Sequence, residues 1–239
     1  MLILTDLDDT LFQTRRKCPS GDGELTPMSF LADGSESGYA TTKQAEFMAW
    51  LNNGVVVPVT ARSREVLGRV KIKQEPAITS NGGCIILADG QVDKKWHAIL
   101  ETAAAVGESV QDVYHRMTAG LDAETFRHWI VSENGLDLYV VIKDNVANGA
   151  SLDQIQASIP EGWRVHRNGN NLAFLPGWLN KRDAVRYLIA IVRQRDGEVP
   201  IIGAGDSHSD VGFMDLCDFA MTPTNSQLWK SVIKESNWC

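Results

Sequence analysis

The chain has 239 residues, 44% hydrophobic and 22% charged, which is typical of one large soluble domain or of a core with an insert. The formal net charge of −7 argues against the basic face that nucleic acids or anionic membranes require, so we expect neither partner. Four cysteines without a Cys-x-x-Cys pair, and no stretch of signal-peptide or membrane-span length, predict a protein of the reducing cytosol.

The first predicted element is a short buried strand that ends in two acids. Residues 2–4 are apolar and lead to Asp6 and Asp8, at the edge where open α/β sheets bind ligands. Carboxylates this close repel each other, and a divalent cation is the simplest compensation. A turn or helix cap remains an alternative, whereas a calcium loop is disfavoured because Leu11 stands where an EF-hand needs glycine.

A long polar excursion follows, and then a helix. Residues 13–39 are rich in Gly, Ser and Asp, and the basic cluster at 15–17 is either a solvated loop or a flap over an anionic ligand. Thr41 and Gln44 form a capping box that predicts a helix ending at residues 53–54.

Two further strands are predicted before the chain leaves the first domain. Residues 55–59 end in Thr60-Ala61-Arg62, either an ordinary capping turn or a hydroxyl and a guanidinium placed for binding. A helical stretch at 63–70 and a strand at 76–80 come next, and Asn81-Gly82-Gly83 is a strong turn that predicts a domain exit.

The middle of the chain has a different pattern. Residues 133–135 contain Asn-Gly between two runs of strand-like residues, which predicts a β-hairpin and therefore an antiparallel α+β insert. Helical stretches are predicted near 97–117 and 152–158. The predicted strands of the insert are residues 84–87, 125–132, 136–143, 163–167 and 172–175.

Lys181 opens a predicted helix whose apolar stripe is Val185, Leu188, Ile189 and Val192. A lysine in the first turn is unfavourable to the helix dipole, so it is either a solvated side chain or one that completes an anion site with nearby backbone donors.

The fourth strand of the core is predicted at residues 200–204, followed by Asp206 and Asp210 around a strand-to-helix turn. Ser209 or Asp210 is able to cap the following helix, and His208 is interpreted as an exposed loop residue. A short strand at 219–221 and a final helix capped by Asn225 complete the chain.

Four strand-end motifs together resemble those of the haloacid dehalogenase-like hydrolases. They are Asp-x-Asp-x-Thr-Leu at 6–11, Thr60, Lys181 and Gly-Asp-x-x-x-Asp at 205–210. The resemblance covers nearly the whole chain. It implies an α/β fold, with a Rossmann-like parallel-sheet core at 1–82 and 176–239 and an inserted α+β cap of type IIB at 83–175.

The resemblance also implies a chemistry. It is the Mg²⁺-dependent hydrolysis of a small phosphorylated metabolite, a sugar phosphate in particular, through an aspartyl-phosphate. The implied catalytic residues are Asp6, Asp8, Thr60 and Lys181. The implied metal ligands are Asp6, Asp8 through its carbonyl, Asp206 and Asp210. The implied phosphate-binding residues are Asp6, Leu7, Asp8, Thr60, Ala61 and Lys181.

Two positions depart from the usual motifs. Ala61 replaces a common glycine, and Ser209 stands where asparagine is common, so the contact of that asparagine is in doubt. A phosphomutase of the same branch and a non-catalytic phospholigand-binding protein remain alternatives. Candidate substrate-binding residues are Arg62, Asn81, Arg127, His166, Arg167, Asn171 and Ser209.

Overall fold

The computed structural model describes residues 1–20, 23–146 and 151–235. The chain forms two compact units. Unit 1 comprises Met1–Asp93 and Lys181–Cys239, and unit 2 comprises Lys94–Asn180.

The secondary structure alternates in unit 1 and is strand-rich in unit 2. The strands are β1 Leu2–Thr5, β2 Thr26–Phe30, β3 Glu36–Ala40, β4 Val55–Pro58, β5 Ala77–Thr79, β6 Cys84–Ile86, β7 Phe126–Glu133, β8 Leu136–Asp144, β9 Trp163–Asn168, β10 Asn171–Pro176, β11 Ile201–Ala204 and β12 Phe219–Met221. The helices are α1 Thr42–Leu51, α2 Arg64–Leu67, α3 Lys94–Ala104, α4 Val110–Thr118, α5 Leu152–Gln156, α6 Lys181–Asp196, α7 His208–Met214 and α8 Gln227–Glu235. None of these helices is long and apolar enough to span a bilayer.

A four-stranded parallel sheet with the order β12-β11-β1-β4 organises unit 1. All four residues of β1 are buried, as expected for a strand flanked on both sides, and Leu2 pairs with both Ile201 and Val55. Because β1, β4 and β11 are parallel, their carboxyl ends lie at one edge of the sheet. The predicted acids and Thr60 follow these ends directly.

We expected residues 13–39 to form a simple loop, but the structure contains strands there. It contains the antiparallel hairpin β2-β3, whose Met28 and Tyr39 are buried in unit 1. Gly38 has no room for a side chain, because an added Cβ would lie 2.9 Å from the Phe12 ring. The apolar residues were too few for a period-2 pattern to predict these strands.

The predicted insert at 83–175 differs from the observed units at its first strand. β6 pairs antiparallel with β5, and its Cys84 and Ile86 pack in the same cluster as Ile3. The units therefore divide after Asp93 and after Asn180. β5 itself is not a full strand of the parallel sheet, and a single parallel bridge joins its Ile78 to Val59, the residue after β4.

Unit 2 contains an antiparallel sheet with the order β7-β8-β10-β9. The predicted hairpin is present, since β7 and β8 pair up to Glu133 and Leu136 around the turn. The helical stretch predicted near 97–117 is divided into α3 and α4, with Gly107 between them at φ 93°.

The structure corrects two predicted helix caps and confirms a third. The capping box of Thr41 and Gln44 is present at α1. Ser207, rather than Ser209 or Asp210, is the N-cap of α7, and the Asp210 carboxylate accepts from the Ser207 N–H. Ser226, rather than Asn225, accepts the hydrogen bond from the Trp229 N–H at the start of α8. At α7 the Ser207 hydroxyl donates to Asp210 Oδ2 at 2.7 Å, whereas at α8 the Ser226 hydroxyl accepts from a free N–H group of the first turn.

Candidate active site

The loop after β1 presents its two acids in different surroundings. Asp6 is buried, and its N–H donates to the Ala204 carbonyl of β11 at 2.8 Å, which continues the sheet by one residue. Asp8 follows two residues later in the loop, with a side chain 46% exposed. The loop turns back through Asp9 at φ 62°, a conformation that Asp tolerates better than most residues. One strand end thus supplies one buried and one solvent-accessible carboxylate.

Three carboxylates from two distant parts of the chain converge beside this loop. One ligand oxygen from each of Asp6, Asp206 and Asp210 lies within 4.8 Å of the other two. Such an all-oxygen set fits a hard divalent cation such as Mg²⁺. The Asp8 carboxylate does not belong to this group, so a role for Asp8 as a ligand would rest on its backbone carbonyl.

Lys181 lies between two of these carboxylates. Its buried Nζ donates to Asp6 Oδ1 and to Asp210 Oδ1, both at 2.7 Å. Burial by itself would lower the pKa of Lys181, but the two carboxylates raise it above the usual range. These ion pairs give a physical reason for a lysine in the first turn of α6.

The acids of the cluster have displaced pKa values. Burial raises the pKa of Asp6 to about 8, although the Lys181 ammonium opposes this shift. Burial and then the charge of Asp210 raise the pKa of Asp206 to about 7. Because these carboxyl groups hold protons near neutral pH, binding of a divalent cation would displace the protons into solvent.

Asp210 has the opposite displacement and is fixed in orientation. Burial would raise its pKa, but Lys181 and the hydrogen bonds from Ser207 lower it. Ser207 donates to Asp210 Oδ2 through its N–H at 3.1 Å and its hydroxyl at 2.7 Å. A Cβ at Gly205 would lie 2.5 Å from the Asp210 Cβ, so the glycine makes room for this carboxylate.

Arg62 forms a bidentate ion pair with Asp8. Its Nε donates to Asp8 Oδ2 and its Nη2 to Asp8 Oδ1, each at 2.7 Å, and the guanidinium lies 5.4 Å from the centre of the Phe12 ring. This fork is a strong, directional arrangement for a carboxylate. We had expected Arg62 to bind substrate; in this structure its donors hold an acid of the same site. The Thr-Ala-Arg segment indicated a functional arginine but did not reveal its partner.

Thr60 and two other candidates surround the strand ends. Thr60 is buried, and its hydroxyl accepts from the Arg62 N–H at 3.1 Å. Asn81 adopts φ 59°, and its N–H donates to the Thr60 carbonyl at 3.0 Å, so it lies beside the same loop. Ser209 is exposed and hydrogen-bonds the Ser207 hydroxyl at 2.8 Å, next to the cluster.

The basic segment at 15–17 also approaches this region. It forms a short 3-10 helix, in which Lys17 forms an ion pair with Asp9 and Arg15 lies over the Tyr39 ring. The charges of Asp9 and Lys17 both act on the pKa of Asp206, which places them near the acidic cluster. Sequence reasoning left this segment open between a loop and a flap.

The candidates in unit 2 divide between the two faces of its sheet. Arg127, His166 and Asn171 lie on one face, because Arg127 and Asn171 both pair with Lys143 and His166 pairs with Ala173, two residues beyond Asn171 on β10. Arg167 lies on the opposite face, where it forms an ion pair with Asp153 and a hydrogen bond to Gln156, both on α5. The structure thus separates Arg167 from the other three.

Comparisons with known proteins agree with this architecture. No protein-family profile and no curated protein sequence matches the chain. Among solved structures, sucrose-phosphatase from Synechocystis sp. PCC6803, determined with sucrose and phosphate, has a TM-score of 0.57 at 18% identity and covers 100% of this chain and 88% of its own. Thermoplasma acidophilum 0175 has a TM-score of 0.62 at 18% identity, covering 97% and 88%. A trehalose-6-phosphate phosphatase related protein has a TM-score of 0.50 at 18% identity, covering 98% and 96%.

Because these structures are only 18% identical to the chain in sequence, the comparisons establish its fold and nothing further. The chain shares the fold of these structures, an α/β fold with a Rossmann-like parallel-sheet core, as the four motifs predicted.

Proposed function

We propose that the chain is a Mg²⁺-dependent phosphatase that hydrolyses a small phosphate monoester, in particular a sugar phosphate. One observation carries the proposal: the buried Asp6 carboxylate lies within 4.8 Å of Asp206 and Asp210 and accepts a hydrogen bond from Lys181. A carboxylate held this way beside cationic groups is suited to attack phosphorus, where negative charge must be neutralised.

The proposed reaction has two steps at Asp6. Asp6 attacks the phosphoryl group to form an aspartyl-phosphate, while Asp8 protonates the departing alcohol oxygen. Asp8 then takes a proton from the water that hydrolyses this intermediate. The exposure of Asp8 and its fork from Arg62 support this role, since the carboxylate is both accessible and fixed in direction.

The phosphoryl oxygens require donors as the reaction proceeds. We assign this task to the Thr60 hydroxyl, the Lys181 ammonium, and the backbone N–H groups of Leu7, Asp8 and Ala61. Mg²⁺, held by Asp6, Asp206 and the Asp8 carbonyl with Asp210 orienting a metal water, would neutralise charge on the phosphoryl group.

The proposed substrate class follows from the similar structures and from polar residues of unit 2. Two proteins of similar fold are a sucrose-phosphatase and a trehalose-6-phosphate phosphatase related protein. Sugars need many hydrogen-bonding groups, and Arg127, His166 and Asn171 on one face of the unit 2 sheet offer them. The described cysteines, Cys18, Cys84 and Cys217, form no disulfide with one another, and we propose a cytoplasmic protein.

A screen of sugar phosphates and an aryl phosphate, with Mg²⁺ and with EDTA, tests the proposal. We expect turnover with Mg²⁺ and its loss in EDTA. Absence of turnover on every ester with Mg²⁺ would contradict the phosphatase assignment and favour a phospholigand-binding protein. A binding protein would not need both Asp6 and Asp8, and both are present. Hydrolysis that proceeds steadily without a bisphosphate activator would exclude the phosphomutase alternative.

A further inference from the structure

A short basic stretch of unit 1 directly follows the loop after β1. Arg15, Arg16 and Lys17 form a 3-10 helix there, and all three side chains are exposed. We call residues 15–17 the basic segment. The loop that leads to it is closed by a hydrogen bond of 2.7 Å from the Asp9 N–H to the Phe12 carbonyl. The basic segment therefore continues the same loop that carries the proposed nucleophile.

One buried glutamine fixes both ends of the basic segment. Gln13 exchanges two backbone hydrogen bonds with Tyr39 of β3, at 3.0 and 2.7 Å. Its side-chain amide exchanges two more with the Gln44 amide of α1, at 3.1 and 2.6 Å. The Gln13 Nε2 also donates to the Cys18 Sγ at 3.2 Å. Because residues 13 and 18 are both held, the segment between them loses less conformational freedom when it binds a ligand.

The basic segment carries more positive charge than its neighbours neutralise. Lys17 forms an ion pair with Asp9. Among the residues that the structure describes, neither Arg15 nor Arg16 has an acidic partner, and Arg15 lies over the Tyr39 ring at 5.4 Å. The side chains of the Lys17–Asp9 pair are 44% and 26% exposed, so this pair contributes little to stability. Another anion can therefore replace Asp9 at Lys17.

The cations inside the candidate site are, by contrast, already bound to carboxylates. Lys181 and Arg62 each donate two hydrogen bonds to acids of the site. A phosphate monoester is close to a dianion at neutral pH, so it approaches acids whose cations are engaged. Burial and then nearby acids raise the pKa of Asp206, whereas the charges of Lys181 and Lys17 lower it. The basic segment thus lies within electrostatic reach of the acidic cluster.

We propose that the basic segment is a capture site for the phosphate group of the substrate, which binds there before it reaches Asp6. The inference rests on the phosphatase function proposed above and adds a binding step to it. Arg16 offers a planar fork to two phosphate oxygens, and Lys17 exchanges Asp9 for another. A local group of cations raises the concentration of an anionic ester beside a chain whose net charge of −7 repels it.

The ionic-strength dependence of kcat/KM tests the capture site. The double variant Arg16→Gln/Lys17→Gln should lower kcat/KM for p-nitrophenyl phosphate with Mg²⁺ by about three- to tenfold at low ionic strength, through KM rather than kcat. The difference should vanish in about 0.5 M NaCl, where charges are screened within ~4 Å. Arg16→Lys/Lys17→Arg keeps both charges and should retain the wild-type kcat/KM.

A matched control removes two positive charges elsewhere in unit 1. Lys73 and Arg195 line a cavity together with Met1 and Leu2, at the amino end of β1, whereas the acids follow its carboxyl end. Lys73→Gln/Arg195→Gln should change kcat/KM by less than about twofold at low ionic strength. Equal losses in the two double variants, or a loss in Arg16→Gln/Lys17→Gln that persists at high salt, would overturn the inference.

Binding of inorganic phosphate separates this inference from the proposed function. Phosphorus NMR linewidths, measured with the full chain in EDTA, should show that the wild type binds inorganic phosphate. The affinity should fall by about threefold or more in Arg16→Gln/Lys17→Gln and stay unchanged in the control variant. This result would support the capture site even if no ester is hydrolysed. Equal binding by the wild type and Arg16→Gln/Lys17→Gln, or no binding by either, would refute it even if the chain is an active phosphatase.

Discussion

Arg62 donates two hydrogen bonds of 2.7 Å to the two carboxylate oxygens of Asp8, across 54 positions of sequence. The Arg62 side chain is 18% exposed, whereas the Asp8 side chain is 46% exposed. The arginine is therefore the more buried member of the pair, and the Asp8 carboxylate is accessible to solvent. A carboxylate that must give and later take a proton benefits from a fixed direction, because proton transfer requires hydrogen-bond geometry.

Removal of either member of this pair should slow the reaction most on esters with poor leaving groups. Asp8→Ala should lower kcat on an alkyl phosphate by roughly two to four powers of ten and less on an activated aryl phosphate, whose departure needs no proton. A loss smaller than this on the alkyl ester would contradict the acid/base role of Asp8.

Arg62→Ala should lower kcat on the alkyl phosphate by about ten- to a hundredfold, with a smaller loss on the aryl phosphate, because the bonds to Asp8 are charge-assisted. Arg62→Lys should not restore the rate, since an ammonium cannot form the two-bond fork. A rise in KM at constant kcat on both esters would instead indicate that Arg62 binds the substrate directly.

The nucleophile is tested by Asp6→Asn. This variant keeps the size of the side chain but should abolish turnover, while a phosphate analogue such as orthovanadate still binds in calorimetry. Activity above about a hundredth of wild type would argue against a covalent role. Asp9→Asn is the matched control in the same loop: Asn accepts the φ of 62° found there, and its activity should exceed that of Asp6→Asn by at least about tenfold.

Lys181→Met should cost both activity and stability. The change leaves Asp6 and Asp210 without their buried cation, a loss of about 3 to 5 kcal/mol in the free energy of unfolding at pH 8. The loss should be smaller at pH 5, where the carboxyl groups take up protons. Arg182→Met, at the next and partly exposed position, should cost only about 0 to 1 kcal/mol. Denaturant unfolding at the two pH values measures both, and equal losses for the two variants would refute a special role for the buried pairs.

The acidic cluster should make the metal-free protein less stable as pH rises. The folded protein holds protons on Asp6 and Asp206, with pKa values of about 8 and about 7, whereas the unfolded chain releases them near 3.8. The folded state therefore binds more protons, and the free energy of unfolding falls as pH rises from about 4 to about 8.

Thermal unfolding in EDTA at pH 5 and pH 8 measures this effect. Asp206 is partly exposed, so after solvent screening we expect ~1 kcal/mol from it, or about 2 to 4 °C in Tm. Asp206→Asn should reduce the fall, and Mg²⁺ at pH 8 should reverse it in the wild type, since a ligand of the folded state stabilises it. A Tm that rises between pH 5 and pH 8 in EDTA would show that these groups are already ionised without a metal.

Local patterns in the sequence were sufficient for several elements. The apolar run before Asp6 predicted a buried strand, and the stripe at Val185, Leu188, Ile189 and Val192 predicted the buried face of α6. The capping box of α1 and the Asn-Gly hairpin also formed as expected. These signals depend on residues a few positions apart, so their period and turn chemistry are visible without a fold.

Pairings over long sequence distances could be decided only by the tertiary structure. The sequence by itself determined that Asp6, Thr60 and Asp206 would follow strand ends and that Lys181 would begin a helix. It did not determine that Arg62 would bind Asp8. Likewise, only the structure shows that β6 pairs antiparallel with β5. It also separates Arg167 from His166, because neighbours on a strand project to opposite faces. The helices α4 and α5 pack on one face of the unit 2 sheet, which the sequence does not specify. The ion pair between Arg167 and Asp153 follows from that packing.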